Sequence, residues 1–588
     1  MRKWQKPAEG ESHLNWLLAV TVFLAPASGA LASECGQPAD AIAAVQGHGD
    51  TSPMAGQQVT VEGIVTFDAR YPGGFGGFYL QTADDEADDD PATSEAVFVY
   101  TRRTGGRHGQ RLRISGQVKE HHGLTELTAV EPLTDCGQAR LPAPIRVSGL
   151  WPDNQLPESL ENMRVAITHP LTVIDNYGLA RYGQLTLAES IQFVPTQYLS
   201  PGPEAFRQHL AQEKARLILD DGRSATNLNS VPWPPPALSH RNTVRSGDQV
   251  SGLHGVLDYR FGDWRLHPLR QPVFKSRNPR PGTQPEKGGN LRVATINLHN
   301  YFNGDGSGSG FKGQRGADSR RALAAQTARL KAAVENLEAD VITLMELEND
   351  GYGPDSALAT LTAALGRDWQ FVPTGKNAGQ DAIRVGMIYR TSRVETQGIA
   401  LLQRGIGRPA MAQSFRPKGK TEKVRIVAAH FKSKSCRNAG PAERGQKDGQ
   451  GCYANVRRQA AVDLAQWLDA MRVSPDHTGT LVTGDLNSYA MEAPLQVLRE
   501  AGFRDMVRHF HGPLSYTYRY RGRAGTLDYV LADQSLATRV HSARVWHANA
   551  DEPRALAYDG SLAPFPNPAT MPWRSSDHDP VVTDLILH

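Results

Sequence analysis

The chain has 588 residues, of which 39% are apolar and 21% are charged, and its formal net charge is +3. This length exceeds what one hydrophobic core accommodates, so we expect three or four domains. The charge balance excludes a strongly basic or acidic protein, and it neither favours nor excludes a polyanionic substrate.

The first 32 residues have the pattern of a secretory signal peptide. Basic residues stand at positions 2, 3 and 6, an apolar run covers residues 14–24, and Ala30-Leu31-Ala32 follows it. A positive start, a short apolar segment and an A-x-A sequence predict export, with cleavage after Ala32. The apolar run is too short to span a bilayer comfortably, and no later run is longer. We therefore expect a secreted protein, extracellular or periplasmic, without membrane insertion.

The four cysteines are expected to form two disulfides. An even cysteine count in an exported chain predicts a disulfide framework, and local pairing is the economical choice among the three connectivities. A zinc site is the alternative, but the chain has neither a C-x-x-C spacing nor nearby histidines. The predicted pairs are Cys35–Cys136 and Cys436–Cys452.

Two β-rich regions follow the signal peptide. In the first, residues 33–140, short alternating strands at 58–66, 78–81, 96–100 and 111–118 are separated by glycine-rich turns. This pattern predicts a small barrel or sandwich. In the second, residues 141–277, the sequence from Gly247 to Leu257 repeats the pattern from Gly109 to Val118, which predicts a second module of similar type.

Residues 278–290 are rich in proline and glycine, a mixture that packed elements do not tolerate, and they are predicted to be a linker. In the segment after it, residues 291–588, polar residues of catalytic type recur at the ends of six apolar segments. They are Asn297, Glu346, His430, Asp485 with Asn487, Asp528, and Asp577 with His578. One polar strand terminus means little, but six of them predict a single site at one sheet edge.

The order of these motifs, MELEND, GDLN, LDYVL and SSDHDP, resembles the endonuclease/exonuclease/phosphatase superfamily, the fold of the pancreatic-type deoxyribonucleases and abasic-site endonucleases. The cysteine loop and the preceding β modules resemble the ExeM/NucH-like secreted bacterial nucleases. The resemblance implies an α+β protein. Its C-terminal domain is expected to be a four-layer α/β-sandwich, two packed β-sheets flanked by helices, behind two small all-β OB-like modules.

The resemblance also implies a metal site. Glu346 is the best single ligand, since a hard carboxylate at a strand end suits Mg²⁺, with Mn²⁺ or Ca²⁺ as alternatives. Asn297 and Asp577 match the other metal-proximal positions of the family. The structural alternatives are a solvated acid for Glu346 and an Asn cap for Asn297.

The remaining motif residues are assigned to catalysis. Asp485 is expected to orient or deprotonate the attacking water, with Asn487 beside it. His578 is expected to pair with Asp528, and His430 with Asp381, which stands where the pancreatic-type enzymes have a glutamate. Five cations flank these motifs and are expected to contact phosphates, with surface solvation as the alternative: Lys432, Lys434, Arg457, Arg519 and Arg521.

The sequence therefore predicts a secreted, monomeric, divalent-metal-dependent endonuclease that hydrolyses extracellular DNA, and RNA as a further substrate. Another secreted phosphoesterase of the same fold, of sphingomyelinase or nucleotide-phosphatase type, is the enzymatic alternative. A non-catalytic exported DNA-binding protein is the other, but the intact motif residues argue against it.

Overall fold

The computed structural model describes residues 34–150, 158–227, 231–306, 309–311, 315–375, 379–403, 408–471, 477–559 and 571–588. The predicted signal peptide, residues 1–32, lies outside these residues. Across the described ranges, no helix has the length and apolar character needed to cross a membrane.

The first β module closes into a barrel. Its elements are α1 (Ile42–Gln46), β1 (Gln58–Asp68), β2 (Gly77–Gln81), β3 (Ala96–Tyr100), β4 (Gln110–His121), β5 (Leu124–Thr128) and β6 (Leu133–Gln138). Strand β1 pairs with both β2 and β4, so the order β1-β2-β3-β5-β4 returns to β1. The β3–β5 pair is parallel. All four strands predicted for this module are confirmed, and a Cys35–Cys136 disulfide ties the start of the module to β6.

In the second β module the strands pair in the same order as in the first. Its elements are β7 (Ile145–Val147), β8 (Arg164–Ile167), β9 (Leu171–Asp175), α2 (Leu179–Tyr182), β10 (Gln184–Ala188), β11 (Gln192–Phe193), α3 (Pro203–Lys214), β12 (Leu217–Asp220), β13 (Gln249–Ser251), β14 (His254–Arg260), β15 (Asp263–Pro268) and β16 (Val273–Lys275). Consecutive strands β8 and β9 pair with β14 and β10, and β12 pairs in parallel with β15. The segment 247–257, which repeats the sequence pattern of β4, forms β13 and the start of β14. These strands hold the position in this module that β4 holds in the first.

The segment 278–290, predicted to be a linker, contains no helix or strand and is packed against the C-terminal domain. Arg280 donates to Glu552 at 2.7 Å, and Lys287 forms an ion pair with Asp340. The linker is therefore held in place by charged contacts with the domain that follows it.

The C-terminal domain contains two six-stranded sheets. The first has the order β19-β20-β18-β17-β30-β29 and comprises β17 (Leu291–Tyr301), β18 (Val341–Glu348), β19 (Trp369–Phe371), β20 (Ile383–Arg390), β29 (Val540–Val545) and β30 (Val581–Leu585). The second has the order β21-β22-β23-β24-β28-β25 and comprises β21 (Val394–Leu402), β22 (Met411–Pro417), β23 (Lys423–Ala428), β24 (His477–Asp485), β25 (Arg504–Asp505) and β28 (Asp528–Ala532).

Among its described residues, a small third sheet and six α-helices complete the domain. The helices are α4 (Arg320–Leu337), α5 (Ala357–Leu365), α6 (Ala454–Ala470), α7 (Ala493–Glu500), α8 (Met506–His511) and α9 (Gln534–Ala537). The third sheet joins β11 of the second module to β26 (Tyr518–Tyr520) and β27 (Arg523–Gly525). A second disulfide, Cys436–Cys452, closes the loop before α6.

Successive side chains of a strand point to opposite faces, so each sheet packs against the other sheet on one face and against helices on the other. In β23, Ile426 lies in the core between the two sheets, whereas Val427 packs in the core under α6 and α7. In β18, Val341 faces the core between the sheets, and Ile342 packs with residues of α4 and α5. The mixed α+β architecture expected from the sequence is confirmed, and the domain has helix, sheet, sheet and helix layers.

Candidate active site

Strand direction brings the predicted site residues to one end of the two packed sheets. Asn297 and Glu346 lie near the C-terminal ends of the parallel strands β17 and β18, and the parallel strands β23 and β24 end near His430 and Asp485. Strands β28 and β30 run antiparallel to their neighbours, so their starting ends lie at this edge as well. Asp528 begins β28, and the sequence Asp577-His578 immediately precedes β30.

The two sheets are joined directly beneath this edge. Thr343 of β18 and Thr483 of β24 share a hydrogen bond of 2.8 Å between their hydroxyl groups, and both residues are buried. A buried hydroxyl pair of this kind stays satisfied only while the two strands keep their relative position. The bond therefore fixes the strand carrying Glu346 against the strand carrying Asp485.

The backbone leaves regular strand geometry where the site residues occur. Glu346 has φ of 57° and Asn487 has φ of 46°, both in the left-handed region that side-chain-bearing residues rarely adopt. The ladder between β18 and β20 shifts register between Leu344 and Leu347, so Glu346 lies on a bulge that re-aims its side chain. At Gly484 a Cβ atom would stand 2.1 Å from the carbonyl oxygen of Ala429, which excludes any other residue there. Strained backbone of this kind concentrates at functional sites.

His578 and Asp528 form a buried ion pair. The Nδ1 atom of His578 lies 2.7 Å from an oxygen of Asp528, and the same oxygen accepts a 2.8 Å hydrogen bond from the hydroxyl of Thr517. Burial opposes a charged ring, but Asp528 and Asp485 outweigh it and raise the pKa of His578 well above its ordinary value. The ring of Tyr518 packs on the imidazole, with centroids 4.5 Å apart. His578 is therefore a fixed imidazolium whose Nε2 is not used by Asp528.

Asp485 is held by three neighbours. Its Oδ1 accepts from the backbone N–H of Asn487 at 2.8 Å, and its Oδ2 accepts from Nδ2 of Asn297 at 3.2 Å. Oδ2 also lies 3.6 Å from Nε2 of His430. Burial raises the pKa of Asp485 to about 7, although the charge of His578 opposes this rise. A carboxylate with this pKa is suited to exchange a proton with water near neutral pH.

His430 does not pair with Asp381, so that predicted contact is wrong. The carboxylate of Asp381 instead binds Nε of Arg408 at 3.0 Å, and Nδ1 of His430 has no hydrogen-bond partner among the described residues. Burial, together with the charges of Arg408 and His578, holds the pKa of His430 well below its ordinary value. Burial and these two charges therefore favour the neutral form of His430.

The negative charge of Asp577 affects the ionisation of Glu346. Burial, and then the charge of Asp577, raises the pKa of Glu346. Burial opposes ionisation of Asp577 too, but His299, His578 and Arg574 hold its pKa below the ordinary value. The two half-buried carboxylates offer hard oxygen ligands of the kind that a divalent cation prefers. The side chain of Asn297 lies beside Glu346.

Asp485, Asp528 and His578 also have potential ligand atoms within 4.8 Å of one another. This group does not suit a cation, because His578 already carries a positive charge and its Nδ1 is bound to Asp528. Glu346, Asp577 and Asn297 therefore stay the ligand set predicted from the sequence.

Three of the five cations predicted to contact phosphates are internal. Lys434 forms a 2.6 Å ion pair with the buried carboxylate of Glu492, and burial lowers the pKa of Lys434 to about 8. The guanidinium of Arg457 is fully buried and donates to the carbonyl oxygens of Cys452 and Gln450, at 2.6 Å and 2.8 Å.

Arg519 is likewise buried, in an ion pair with Asp551. These corrections leave two exposed cations, Lys432 and Arg521. The ammonium of Lys432 stands 4.8 Å over the ring of Tyr453, and the guanidinium of Arg521 stands 5.6 Å over the ring of Tyr520.

Several contributors to the site have no sequence signal of their own. Thr517 and Tyr518 support the His578–Asp528 pair, Arg408 lies near His430, and His299 and Arg574 influence Asp577. His299 was not predicted, although it lies two residues after Asn297, where the strand-end rule could have found it. The others come from loops or from strands without a motif.

A comparison with protein families covers the segment that carries these residues. The sequence profile of the Endonuclease/Exonuclease/phosphatase family matches residues 294–578, the segment that contains the whole site. No curated protein matches the chain.

Several solved structures are similar to the C-terminal half. An endonuclease/exonuclease/phosphatase from Bacteroides vulgatus is 15% identical and covers 51% of this chain and 99% of its own, with a TM-score of 0.33. A mannosyl-6-phosphatase from Bacteroides thetaiotaomicron is 14% identical over 50% of this chain and 100% of its own, with a TM-score of 0.35. TDP2 from D. rerio, complexed with single strand DNA product, is 13% identical over 50% of this chain and 97% of its own, with a TM-score of 0.32.

Proposed function

We propose, from the membership of residues 294–578 in the endonuclease/exonuclease/phosphatase superfamily, that the protein is a secreted, divalent-metal-dependent endonuclease acting on DNA. Phosphoester hydrolysis is the reaction class that this superfamily supports. The observation that carries the proposal is the buried His578–Asp528 ion pair, whose imidazolium lies close to Asp485 at the same edge of the sheets.

His578 supplies positive charge where the reaction develops negative charge. Because Nδ1 is bound to Asp528, Nε2 is the nitrogen that donates a hydrogen bond to a phosphoryl oxygen. The imidazolium binds the transition state more strongly than the ground state, since the charge on the phosphoryl oxygens grows as water attacks. Asp528 and Thr517 keep the ring in one orientation and one protonation state.

Asp485 is the acceptor for the proton of the attacking water. Hydrogen bonds from Asn487 and Asn297 fix its two oxygens, so the carboxylate meets the water without reorganising. The side-chain amide of Asn487 donates one N–H to the carbonyl oxygen of Phe431 at 3.2 Å, which leaves its second N–H for a phosphate oxygen. Nε2 of neutral His430 lies 3.6 Å from Oδ2 of Asp485, beside the same centre.

Glu346, Asp577 and Asn297 are the residues that would hold the cation. When bound, a divalent ion polarises the phosphoryl group and stabilises the leaving oxygen. Glu346 lies on the bulge of β18 and Asp577 in the loop before β30, and the charges of His299, His578 and Arg574 hold the pKa of Asp577 below its ordinary value.

Three features support DNA outside the cell as the substrate. The signal sequence and the two disulfides fit an oxidising compartment. Lys432 and Arg521 are exposed and lie near site motifs in the sequence, and they would contact phosphates of a chain substrate. The two barrels of shared strand order are proposed to be OB-like modules, a fold that binds oligonucleotides.

A substrate panel tests the proposal. Purified mature protein is incubated with supercoiled plasmid, ribosomal RNA, sphingomyelin and a nucleoside monophosphate, each with Mg²⁺ and again with excess chelator. We expect Mg²⁺-dependent nicking of the plasmid and little release of phosphate or phosphocholine. Turnover of sphingomyelin or the nucleotide in place of plasmid would establish one of the alternative phosphoesterases, and DNA binding without hydrolysis would establish the non-catalytic alternative.

A further inference from the structure

The second β module contacts the hairpin that supports the His578–Asp528 pair of the C-terminal domain. We infer that Gln197 of this module is a positioning residue for the His578–Asp528 pair, so that the catalytic domain is incomplete without the module. This inference rests on the proposed function, and its test includes a measurement that needs no activity.

Thr517 connects the two halves of the His578–Asp528 pair. Its hydroxyl donates to the carboxylate of Asp528 at 2.8 Å and accepts from the backbone N–H groups of Leu527 and Asp528, at 3.0 Å and 3.1 Å. Its carbonyl oxygen accepts from the N–H of Asp579, the residue after His578, at 2.8 Å. Displacement of Thr517 therefore moves the acid, and the backbone beside the imidazole, together.

The strand after Thr517 adds a contact with the imidazole itself. Tyr518 begins β26, and its ring packs on His578. Strands β26 and β27 form a hairpin that belongs to neither six-stranded sheet. Its position must therefore come from other contacts.

The second β module supplies several of those contacts, in addition to the Arg519–Asp551 ion pair within the C-terminal domain. Strand β11 pairs in parallel with β27, with Gln192 opposite Arg523. Arg523 is buried and binds Glu213 at 2.6 Å and Gln212 at 2.7 Å, both from α3 of the module. The module thereby extends the hairpin into a three-stranded sheet and neutralises its buried cation.

Gln197 holds the base of the same hairpin from both sides. Its Nε2 donates to the carbonyl oxygens of Pro513 and Ser515, at 3.1 Å and 3.2 Å, and its Oε1 accepts from the N–H of Thr526 at 3.0 Å. The side chain is 2% exposed, so these bonds do not compete with water. One residue of the module thus links the segment that precedes Thr517 to the segment that precedes Asp528.

The neighbouring residue Thr196 provides a matched control. It is buried in the same interface, but its hydroxyl donates to Glu492 at 2.9 Å and has no bond to the hairpin. Glu492 keeps its ion pair with Lys434 when that hydroxyl is removed. Thr196→Val and Gln197→Leu therefore both weaken the interface, while only Gln197→Leu loosens the hairpin.

The kinetic test measures kcat and KM for wild type, Gln197→Leu, Thr196→Val, Thr517→Val and the Gln197→Leu/Thr517→Val double variant, using bis(4-nitrophenyl) phosphate with Mg²⁺ below the Tm of every variant. Misplacement by about an ångström costs on the order of 10²-fold in rate, so Gln197→Leu is expected to lower kcat by about 10- to 100-fold. The KM should change less than about threefold, since Gln197 does not reach the cleft edge. The double variant should fall no more than about threefold below Thr517→Val, because both changes break one chain of contacts.

Hydrogen exchange measured by mass spectrometry gives the second readout. Gln197→Leu should accelerate exchange in peptides covering residues 513–530 and 577–580, and Thr196→Val should leave those peptides at wild-type rates. Equal kcat for the two single variants, multiplicative losses in the double variant, or unchanged exchange in these peptides would each overturn the inference. If the wild-type protein hydrolyses no phosphoester, the proposed function fails and the exchange result alone decides the positioning role.

Discussion

Asp485 and Asp528 are direct neighbours across the β24–β28 ladder, and one oxygen of each lies within 4.8 Å of a ring nitrogen of His578. Two carboxylates at this separation repel each other unless a cation lies with them, and the imidazolium supplies that charge. Asp528 therefore fixes the ring, and Asp485 depends on the ring for its own ionisation. The three residues behave as one unit in which no charge is independent of the other two.

The losses of activity caused by replacing Asp485 and His578 should not be additive. Asp485→Ala and His578→Ala are each expected to lower kcat on plasmid DNA by about 10³- to 10⁴-fold, since each removes a proton acceptor or a charge aimed at the transition state. The double variant should be little worse than the poorer single variant. Exposed His541 provides the control, and His541→Ala should retain wild-type turnover. Near-normal cleavage by His578→Ala would show that the imidazole is only structural.

His578 should remain protonated at neutral pH in the metal-free protein. Its folded-state pKa is raised, so it contributes stability that is fully present below the unfolded value of about 6.5 and is lost as pH rises through the folded value. Imidazole nitrogen NMR in the presence of chelator should show two ring protons on His578 at pH 7.5. In Asp528→Asn the ring should lose its proton at lower pH, because the largest charge that raises the pKa is gone. A neutral ring at pH 6.5 in the wild type contradicts this account.

Asn297, Glu346 and Asp485 could be predicted from the sequence, because a physical rule relates the end of an apolar strand to a position at the sheet edge. Apolar strands end with polar residues, and parallel neighbours bring those ends to the same edge. The same rule found His578 with Asp528, since the antiparallel strands begin where the others end.

The strand-end rule does not predict which lysine and arginine side chains are exposed. Lys434 and Arg519 sit next to catalytic motifs in the sequence, but their carboxylate partners, Glu492 and Asp551, are 58 and 32 residues away. The sequence does not distinguish a lysine or arginine that packs inside the domain from one that is exposed to solvent. Distinguishing them requires the tertiary structure, and so does the contribution of Gln197 from a separate module.

Glu346→Gln should raise the divalent-ion concentration needed for activity. The amide keeps the size of the side chain but removes one negative charge from the Glu346–Asp577 pair, so the affinity for a hard cation is expected to fall by about tenfold or more. Mg²⁺ titrations of plasmid nicking and direct Mn²⁺ binding by calorimetry measure the effect. Glu348→Gln is the matched control, because Glu348 accepts from the N–H of Asn303 at 2.9 Å and is not assigned to the cation. A Glu346→Gln protein with wild-type Mn²⁺ affinity would remove Glu346 from the site.

Lys432→Met and Lys434→Met should have opposite consequences although the two lysines are two positions apart. Lys432 is exposed, so losing its charge is expected to leave the Tm unchanged and to reduce the salt dependence of DNA binding by about one phosphate contact. Lys434→Met leaves the buried carboxylate of Glu492 without its cation, which should cost about 3–5 kcal/mol of stability and leave the salt dependence unchanged. Fluorescence anisotropy with labelled DNA in chelator, across a range of NaCl concentrations, separates binding from cleavage, and thermal unfolding gives the Tm of each variant. If Lys434→Met weakens DNA binding without lowering the Tm, the ammonium group contacts substrate and its pairing with Glu492 is not the state that binds DNA.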